Sequence, residues 1–552
     1  MESRSHTLDR LRKETYDLLV IGGGITGCGI ALDAVTRGLR VALLEKNDFA
    51  SGTSSKSTKL IHGGLRYLKQ LEFGLVREVG SERAVLHALA PHLVVPEKML
   101  LPLYEHHGLG YWLTSIGLKI YDWLAGVTPE DRRRMLTRRQ TIRVEPLLGN
   151  TDVKGGALYA EYRTDDARLT IEIIKTAIRH GAVALNYVQV TDFLKEDDAI
   201  RGVVASDVET GAELNVNAEV VVNAAGPWVD ELRKADHSLM GKRLHLSKGV
   251  HIVVDREKFP VSQAIYFDVV DDNRMIFAIP RGRVTYIGTT DTSYYDSQDA
   301  VHTTLADAEY LIRAVNNSFP GIALSVSDVE SSWAGLRPLI HEDGKSPSDL
   351  SRKDEIFISG SGLISIAGGK LTGYRKMAER VVDLVARKHF ADRSLNPSIT
   401  ARLRLATDET TGAFFDIQNV FSALQKKMRS YRFSPYVVRQ LFENFGYASL
   451  EIVQSFEKMR DGSDDQLSLI TSELQFCLNH EMIRSGADFF VRRTGLLFFD
   501  IRQVVTYYQP VLEVMKNALD WSDEVYAREI YLMERLLAEA QLKESGVGST
   551  AR

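Results

Sequence analysis

A single stretch near the N-terminus limits the possible folds of this chain more than any other feature. A short apolar run, Leu18 to Ile21, has the length and branching of a buried parallel strand. A glycine-rich turn and a helical stretch over 28–37 come next, and a second apolar run, Val41 to Leu44, ends in Glu45. This order predicts one complete βαβ unit that begins with a G-x-G-x-x-G turn.

The glycines and the acid of this unit each suit the binding of a dinucleotide. Gly22 permits a tight turn, Gly24 lets the backbone approach a pyrophosphate, and Gly27 permits close packing of the helix on the sheet. The helix N-terminus presents unpaired N–H groups to phosphates. Glu45, 23 positions after the first glycine, can accept hydrogen bonds from ribose hydroxyls. The pattern predicts a cofactor that contains adenosine diphosphate, either NAD or FAD.

Residues 47–68 favour FAD over NAD. The segment is crowded with hydroxyl side chains and contains two lysines and a glycine pair. A nicotinamide enzyme has no need for such a segment, whereas a flavoenzyme must run the chain along the pyrophosphate and ribityl chain toward the isoalloxazine ring. The alternative interpretation is a flexible surface loop. The cofactor contacts expected in this segment are Thr53, Ser54, Ser55, Ser57, Thr58, Lys59, Leu60, His62, Gly63 and Gly64.

Length, charge and cysteine content exclude several classes of protein. A chain of 552 residues is too long for one core, so two or three domains are expected. The net charge of −5 argues against general nucleic-acid binding. Two cysteines, Cys28 and Cys477, exclude a disulfide framework and a cysteine-built metal site, and they fit a reducing compartment such as the cytoplasm. No signal peptide, spanning helix or metal site is expected.

The later parts of the chain have different patterns. Leu244 to Thr290 alternates in the manner of antiparallel strands, and the chain is helical beyond Pro397. Between them, a glycine pair opens a helix at 368–372. Backbone N–H groups at such a helix start suit the negative charge of a reduced flavin. The expected cofactor contacts here are Gly369, Lys370, Leu371 and Thr372.

Six segments, in this order and spacing, resemble the FAD-dependent glycerol-3-phosphate dehydrogenase family, which belongs to the glycine-oxidase and D-amino-acid-oxidase-like flavoproteins. The resemblance covers about Tyr16 to Arg387, and the helical C-terminal region is similar in length and type. The segments are IGGGITGCGIALDAVTRG, TSSKSTKLIHGGLRYLK, NAAGPWVDEL, IGTTDT, WAGLRPL and GGKLTGYRKMAE.

The resemblance implies an α/β fold with a helical cap. A Rossmann-like FAD-binding domain is expected over 16–90, 150–235 and 340–395. A substrate-binding domain built on an antiparallel sheet is expected over 91–149 and 236–339. An all-α C-terminal domain is expected over 396–545.

The resemblance also implies the reaction. The substrate would be sn-glycerol 3-phosphate, oxidised at C2 to dihydroxyacetone phosphate, with hydride transfer to N5 of non-covalently bound FAD and electrons passed to a membrane quinone. A homodimer on the cytoplasmic face of the membrane is expected at the family level. Carried over by motif, the substrate-binding residues are Arg66, Tyr67, Arg337 and Lys370, with Thr290 and Asp291 as weaker candidates for positioning the substrate. Further cofactor contacts are Ile25, Thr26, Lys46, Val188, Ala224, Ala225, Gly226 and Trp228.

His251 is the favoured general base for the C2 hydroxyl. An imidazole is mostly neutral at cytoplasmic pH and can accept a proton. Its strand is expected to cover the flavin, although alternation along the strand could turn the side chain away and leave a structural histidine. Arg337 and Lys370 remain alternative catalytic residues.

Other interpretations stay open. The stretch 108–127 is aromatic and apolar and precedes an arginine-rich segment, which suits peripheral contact with an anionic membrane. A core helix followed by a solvated basic helix is the commoner arrangement. The nearest functional alternative is a glycerol-3-phosphate oxidase that uses oxygen and produces hydrogen peroxide. An amine or amino-acid oxidase and a non-catalytic flavin sensor are more distant ones.

Overall fold

The computed structural model describes residues 2–62, 73–104, 132–269, 274–341, 354–405 and 416–543. These residues form two β-sheets with flanking helices, and a C-terminal region made of helices alone. The predicted fold class, a Rossmann-like domain with an antiparallel second sheet and an all-α C-terminal domain, is confirmed.

The strands, in chain order, are β1 (Thr15–Ile21), β2 (Val41–Leu44), β3 (Leu60–Ile61), β4 (Val95–Leu103), β5 (Arg134–Thr137), β6 (Gly155–Arg163), β7 (Val183–Leu185), β8 (Val188–Glu196), β9 (Ala199–Asp207), β10 (Glu213–Asn223), β11 (Leu244–Asp255), β12 (Ala264–Asp268), β13 (Met275–Arg281), β14 (Val284–Gly288), β15 (Thr292–Ser293), β16 (Val329–Ile340), β17 (Glu355–Ile358) and β18 (Ile364–Ala367).

The α-helices of the described residues are α1 (Arg4–Lys13), α2 (Ile25–Thr36), α3 (Phe73–Leu89), α4 (Arg138–Val144), α5 (Asp166–Arg179), α6 (Val229–Ala235), α7 (Leu305–Ser318), α8 (Tyr374–His389), α9 (Ile417–Met428), α10 (Pro435–Phe445), α11 (Ala448–Met459), α12 (Asp465–His480), α13 (Leu496–Phe499), α14 (Ile501–Leu519) and α15 (Asp523–Ala540).

The first sheet has a parallel core in the order β18–β10–β1–β2–β7, and β17, β8 and β9 extend it. Its central strands are apolar and buried on both faces, as the continuous run Leu18 to Ile21 predicts. Helix α2 lies between α5 and α8 on one face of this sheet. The glycine-rich turn therefore stands at the carboxyl end of β1, where open α/β sheets bind their ligands.

The second sheet has ten strands and is antiparallel except for the β4–β12 pair. Strand β11 pairs with β14, β15 and β16. These pairings place His251 of β11 and Arg337 of β16 in the same part of the sheet, and Thr290 lies between β14 and β15.

Strand β6 pairs with β3, β4 and β5 in the second sheet, and helix α5 follows it in the chain. Strand β6 is buried along most of its length, so its sequence lacks the alternation that distinguishes a strand from a helix. Strands β3 and β6 thus fall outside the first sheet, although both lie within the predicted FAD-binding segments.

Helices α9 to α15 pack on the second sheet through one shared apolar core. Trp333 of β16 contacts Phe498 and Phe499 of α13, with ring centroids 4.9 and 5.7 Å apart. None of the helices in the described ranges combines the length and the apolar character that crossing a bilayer requires. The stretch 108–127 lies outside these ranges.

Candidate active site

The turn after β1 has the geometry that a pyrophosphate requires. Gly22 has φ of 110°, and a Cβ there would lie 2.7 Å from the carbonyl oxygen of Ala224, so only glycine fits. Gly24 precedes α2 and gives its N-terminus no side-chain cap. The N–H of Ile25 donates to Ser54 Oγ at 3.0 Å. Helix α2 thus begins beside the hydroxyl-rich segment, as predicted.

Glu45 closes this turn from the neighbouring strand. Its carboxylate accepts hydrogen bonds from the N–H groups of Gly23 at 2.6 Å and Asn47 at 2.9 Å. Burial raises the pKa of Glu45, and these two hydrogen bonds oppose that rise. The Val188 N–H donates to the carbonyl oxygen of Glu45 at 2.8 Å, which puts Val188 beside the acid.

These features fit an adenine dinucleotide. The glycine turn, the uncapped helix and the buried acid meet at the carboxyl ends of β1 and β2, and Ala224 to Gly226 follow β10 next to them. Trp228 adds a buried indole N–H with no acceptor among the described residues. Lys46 Nζ lies 4.3 Å above the Trp228 ring and donates to Asp299 at 2.9 Å. The predicted residues of the adenosine end are thus brought together.

Residues 53–62 connect the first sheet to the second. Thr53 donates to the carbonyl oxygen of Leu336 at 2.6 Å, and Trp333 Nε1 donates to that of Ser57 at 3.2 Å. The segment therefore runs along β16. At its end, Thr372 donates to the carbonyl oxygen of His62 at 3.2 Å, which joins the segment to the predicted flavin-contacting turn at 368–372.

Lys59 is held by two acidic residues at the start of α5. Its ammonium group is fully buried, 2.5 Å from Asp166 Oδ1 and 3.6 Å from Asp165 Oδ2, and it also donates to the carbonyl oxygen of Ser55 at 3.1 Å. These partners hold the segment to α5. The Ser55 hydroxyl is likewise turned inward, toward the carbonyl oxygen of Gly52.

His251 is buried in the second sheet with only 1% of its surface exposed. Its ring stacks on Trp333, with centroids 4.7 Å apart and planes 12° apart. Nε2 lies 3.0 Å from Thr58 Oγ1, and Nδ1 has no partner among the residues that the structure describes. Burial, and then Arg337 and Lys59, lower the pKa of His251 well below its ordinary value, so the imidazole is neutral.

Arg337 lies on the same face of β16 as Trp333, because residues two and four apart share a face of a strand. Its guanidinium donates to Thr289 Oγ1 at 2.9 Å, to the carbonyl oxygen of Thr290 at 3.1 Å and to Asp291 Oδ1 at 3.2 Å. The side chain stays 22% exposed. A positive charge is thus held in a fixed orientation next to the His251–Trp333 stack.

The Thr290 hydroxyl is hydrogen-bonded to backbone groups of β11. It accepts from the Val250 N–H at 3.0 Å and donates to the carbonyl oxygen of Lys248 at 3.4 Å. Thr290 also helps to orient Arg337 through its carbonyl group, and its contact with the substrate stays a prediction.

Lys370 begins the short helical turn Leu371–Gly373 that leads into α8. The position agrees with the predicted helix start, and the Lys370 side chain is partly exposed. Gly63, Gly64, Arg66 and Tyr67 lie outside the described residues.

Trp333 is the site residue that sequence reasoning did not single out. The sequence did contain an indication of its role, because Trp333 and Arg337 are four positions apart in one strand, within WAGLRPL, and so share a face. The partner of the indole could not be read from the sequence, since His251 is 82 positions away on β11.

Comparison with known proteins agrees with this geometry. A family model described as FAD dependent oxidoreductase matches residues 17–375, and one described as C-terminal domain of alpha-glycerophosphate oxidase matches residues 400–526. The chain is 46% identical over 541 residues to the aerobic glycerol-3-phosphate dehydrogenase of Bacillus subtilis (strain 168), with 97% of both chains covered.

Solved structures extend the comparison. The X-ray structure of the glycerol-3-phosphate dehydrogenase from Bacillus halodurans, complexed with FAD, matches with a TM-score of 0.82 and 43% identity over 99% of both chains. Glycine oxidase from Geobacillus kaustophilus is similar in fold, with a TM-score of 0.52 and 21% identity over 71% of this chain and 99% of its own. With its FAD-type turn, its two sheets and its helical C-terminal domain, this chain belongs to the FAD-dependent glycerol-3-phosphate dehydrogenase family.

Proposed function

We propose that this protein oxidises sn-glycerol 3-phosphate at C2 to dihydroxyacetone phosphate and passes the electrons to a membrane quinone. The observation that carries the proposal is the near-complete match to an aerobic glycerol-3-phosphate dehydrogenase, which includes both the FAD-binding region and the helical C-terminal region.

Arg337 binds the phosphate group of the substrate in this proposal. A dianionic phosphate forms strong hydrogen bonds with guanidinium groups, and these bonds are more specific when the guanidinium is already oriented. The contacts of Arg337 with Thr289, Thr290 and Asp291 supply that orientation. Arg66, Tyr67 and Lys370 complete the substrate site by resemblance.

His251 accepts the proton of the C2 hydroxyl. The buried imidazole is neutral, and Nδ1 is the nitrogen left without a partner among the described residues. FAD, when bound, supplies the acceptor for the hydride that leaves C2. Loss of the proton and the hydride turns the alcohol into the ketone, and the positive charge of Arg337 keeps the phosphate end in place meanwhile.

The electron acceptor and the cellular location are further parts of the proposal. The aromatic stretch 108–127 and the six arginines that follow it support peripheral contact with the cytoplasmic face of an anionic membrane, where a quinone is accessible. A homodimer and the predicted domain boundaries are proposed on the family resemblance.

Anaerobic spectroscopy tests the function. Addition of glycerol 3-phosphate to the purified protein should bleach the flavin absorption bands, whereas glycerol or an amino acid should not. Admission of a soluble quinone analogue should then restore the bands rapidly, and air should restore them slowly without peroxide. Rapid recovery in air with production of peroxide would instead identify an oxidase. Bands that stay unchanged with the substrate would refute the proposed reaction.

A further inference from the structure

A buried group of charged side chains lies just beyond Glu45 and is not explained by the reaction. Asp48 is fully buried, and four hydrogen bonds fill its carboxylate. Oδ1 accepts from Asn186 Nδ2 at 3.0 Å and Arg493 Nη2 at 2.9 Å. Oδ2 accepts from Arg492 Nε at 2.6 Å and Arg493 Nη1 at 2.7 Å. These four residues are called the Asp48 cluster below.

The Asp48 cluster connects two distant parts of the chain. Asp48 belongs to residues 45–51, the turn that carries Glu45 and is called the acid turn here. Arg492 and Arg493 end a π-helical segment, Asp488–Arg493, of the C-terminal domain. More than 440 positions separate the partners. The C-terminal domain therefore reaches across the molecule to the cofactor domain at this point.

The acid turn is joined directly to the glycine-rich turn after β1, residues 22–24, which is called the phosphate turn here. Glu45 accepts from the Gly23 N–H, and the Ala50 N–H donates to the carbonyl oxygen of Gly23 at 3.0 Å. Asp48 lies between these two contacts in the sequence, and its own carbonyl oxygen accepts from the Ser51 N–H at 3.1 Å. A shift of Asp48 would thus move the groups on both sides of Gly23.

The C-terminal domain also holds the segment on the other side of Glu45. Asn186 donates to the carbonyl oxygen of Met482 at 3.0 Å, and the Tyr187 hydroxyl donates to Asp488 Oδ1 at 2.7 Å. Val188, which follows them, donates to the Glu45 carbonyl oxygen. Both chain segments that flank the acid are therefore anchored on residues 482–493.

Charge balance makes this anchoring depend on Asp48. Burial alone would raise the pKa of the Asp48 carboxyl, but Arg493 and Arg492 outweigh burial and keep its pKa below the ordinary value. A buried charge whose partner is removed is strongly unfavourable. Without the Asp48 charge, the acidic partners that remain among the described residues are Asp488 for Arg492 and Glu481 for Arg493, so the hold of the two arginines on residue 48 would weaken.

The helical domain is an addition to the shared flavoprotein fold. The match to glycine oxidase takes in 99% of that chain but 71% of this one, and a separate family model covers residues 400–526 here. The anchoring of the acid turn by residues 482–493 is therefore a feature beyond the shared domain.

We propose that the C-terminal domain forms part of the cofactor site: through the Asp48 cluster it positions the acid turn, and this contact determines how tightly FAD is retained. Asp48, Arg492 and Arg493 are positioning residues, since they act through Glu45 and Gly23. The proposal depends on FAD as cofactor and is independent of the substrate.

Release of FAD from the holoenzyme tests the proposal. Asp48→Asn keeps the size of the side chain and removes its charge. We expect its FAD dissociation constant, measured by the fluorescence of flavin released on dilution, to rise about tenfold or more, as expected for the loss of an interaction with a charged group. Arg492→Gln should change retention in the same direction but less, because Arg493 keeps two hydrogen bonds to Asp48.

Glu172→Gln is the matched control. Glu172 is a buried carboxylate of α5 that pairs with Arg168 and Lys175 and has no hydrogen bond to the acid turn among those found in the described residues. The Glu172→Gln variant should have a lower melting temperature and an unchanged FAD dissociation constant. If Asp48→Asn and Arg492→Gln lower the melting temperature but keep the wild-type dissociation constant for FAD, the cluster is only structural and the proposal is wrong. Both readouts are made without substrate, so they stand apart from the proposed reaction.

Discussion

At the scale of single residues, His251 combines burial, a neutral ring and one nitrogen without a partner among the described residues. General base catalysis by one positioned group contributes typically about 10²–10⁴-fold to a rate. We expect His251→Ala to slow anaerobic flavin reduction by that order and to leave the FAD content unchanged. Stopped-flow absorbance and the ratio of flavin to protein measure the two quantities. Loss of FAD in this variant would contradict a catalytic role.

Thr58 determines which nitrogen of His251 is left for the proton, because its hydroxyl is hydrogen-bonded to Nε2. In Thr58→Val the buried Nε2 of His251 loses its hydrogen-bond partner, which costs about 1–3 kcal/mol. We expect flavin reduction to slow about tenfold or more, and Thr58→Ser to retain the wild-type rate because it keeps the hydroxyl. Equal rates in the valine and serine variants would show that the hydrogen bond is unimportant.

The pH dependence of flavin reduction follows from the same environment. Arg337 and Lys59 are the charged groups that act on His251 besides burial, and both lower its pKa. The base is unprotonated above that lowered pKa, so the rate at saturating substrate should be constant from about pH 6.5 to 8, on the alkaline side of the ordinary histidine pKa. The rate should fall only in more acidic solution. A midpoint at or above 6.5 would show that another group titrates.

At the scale of elements, the phosphate turn owes its shape to Gly22. Alanine at a φ of 110° is strained by about 1–3 kcal/mol, and its Cβ would also meet the Ala224 carbonyl group 2.7 Å away. We expect Gly22→Ala to be purified with much less FAD. Gly38→Ala is the control, because Gly38 has φ of 97° and open space around it. The control should lose stability but retain FAD, and equal flavin contents would refute the role of the turn.

How well the sequence predicts an element depends on how many positions along the chain separate the residues that contact each other. The βαβ unit was predictable from β1 to Glu45, because strand, turn, helix and acid are neighbours in the chain. The position of residues 53–62 along β16 was not predictable, because nearly three hundred positions separate Thr53 from Leu336. Burial along most of β6 removes the alternating pattern that would identify it as a strand. Alternation also could not show where the Thr290 hydroxyl points.

At the scale of the whole molecule, the C-terminal domain contacts both regions that the proposed function uses. At the adenosine end, Arg492 and Arg493 hold Asp48. At the other end, Phe498 packs against Trp333, which in turn stacks on His251. Both contacts come from residues 492–498, so under the two proposals made above a displacement of this short segment would affect cofactor binding and proton transfer together.

Glu481 ties the same domain to α5 and gives the last prediction. It pairs with Arg168 at 2.6 Å in a fully buried position. Removal of one member of a buried pair costs about 3–5 kcal/mol. We therefore expect Glu481→Gln to lower the free energy of unfolding by that amount in denaturant titrations at pH 7. Glu209→Gln, which breaks the partly exposed pair with Arg484, should cost about 1 kcal/mol or less.

The decrease in the free energy of unfolding caused by Glu481→Gln should be the same at pH 5 as at pH 7. Burial opposes ionisation of Glu481, but Arg168 and Lys175 hold its pKa far below the ordinary value. A lowered folded pKa means that its stabilisation is complete above the unfolded pKa of about 4.3 and disappears only as the pH falls below it. A difference between variant and wild type that shrinks already at pH 5 would show that Glu481 is protonated there. The ion pair would then not be what joins the helical domain to α5.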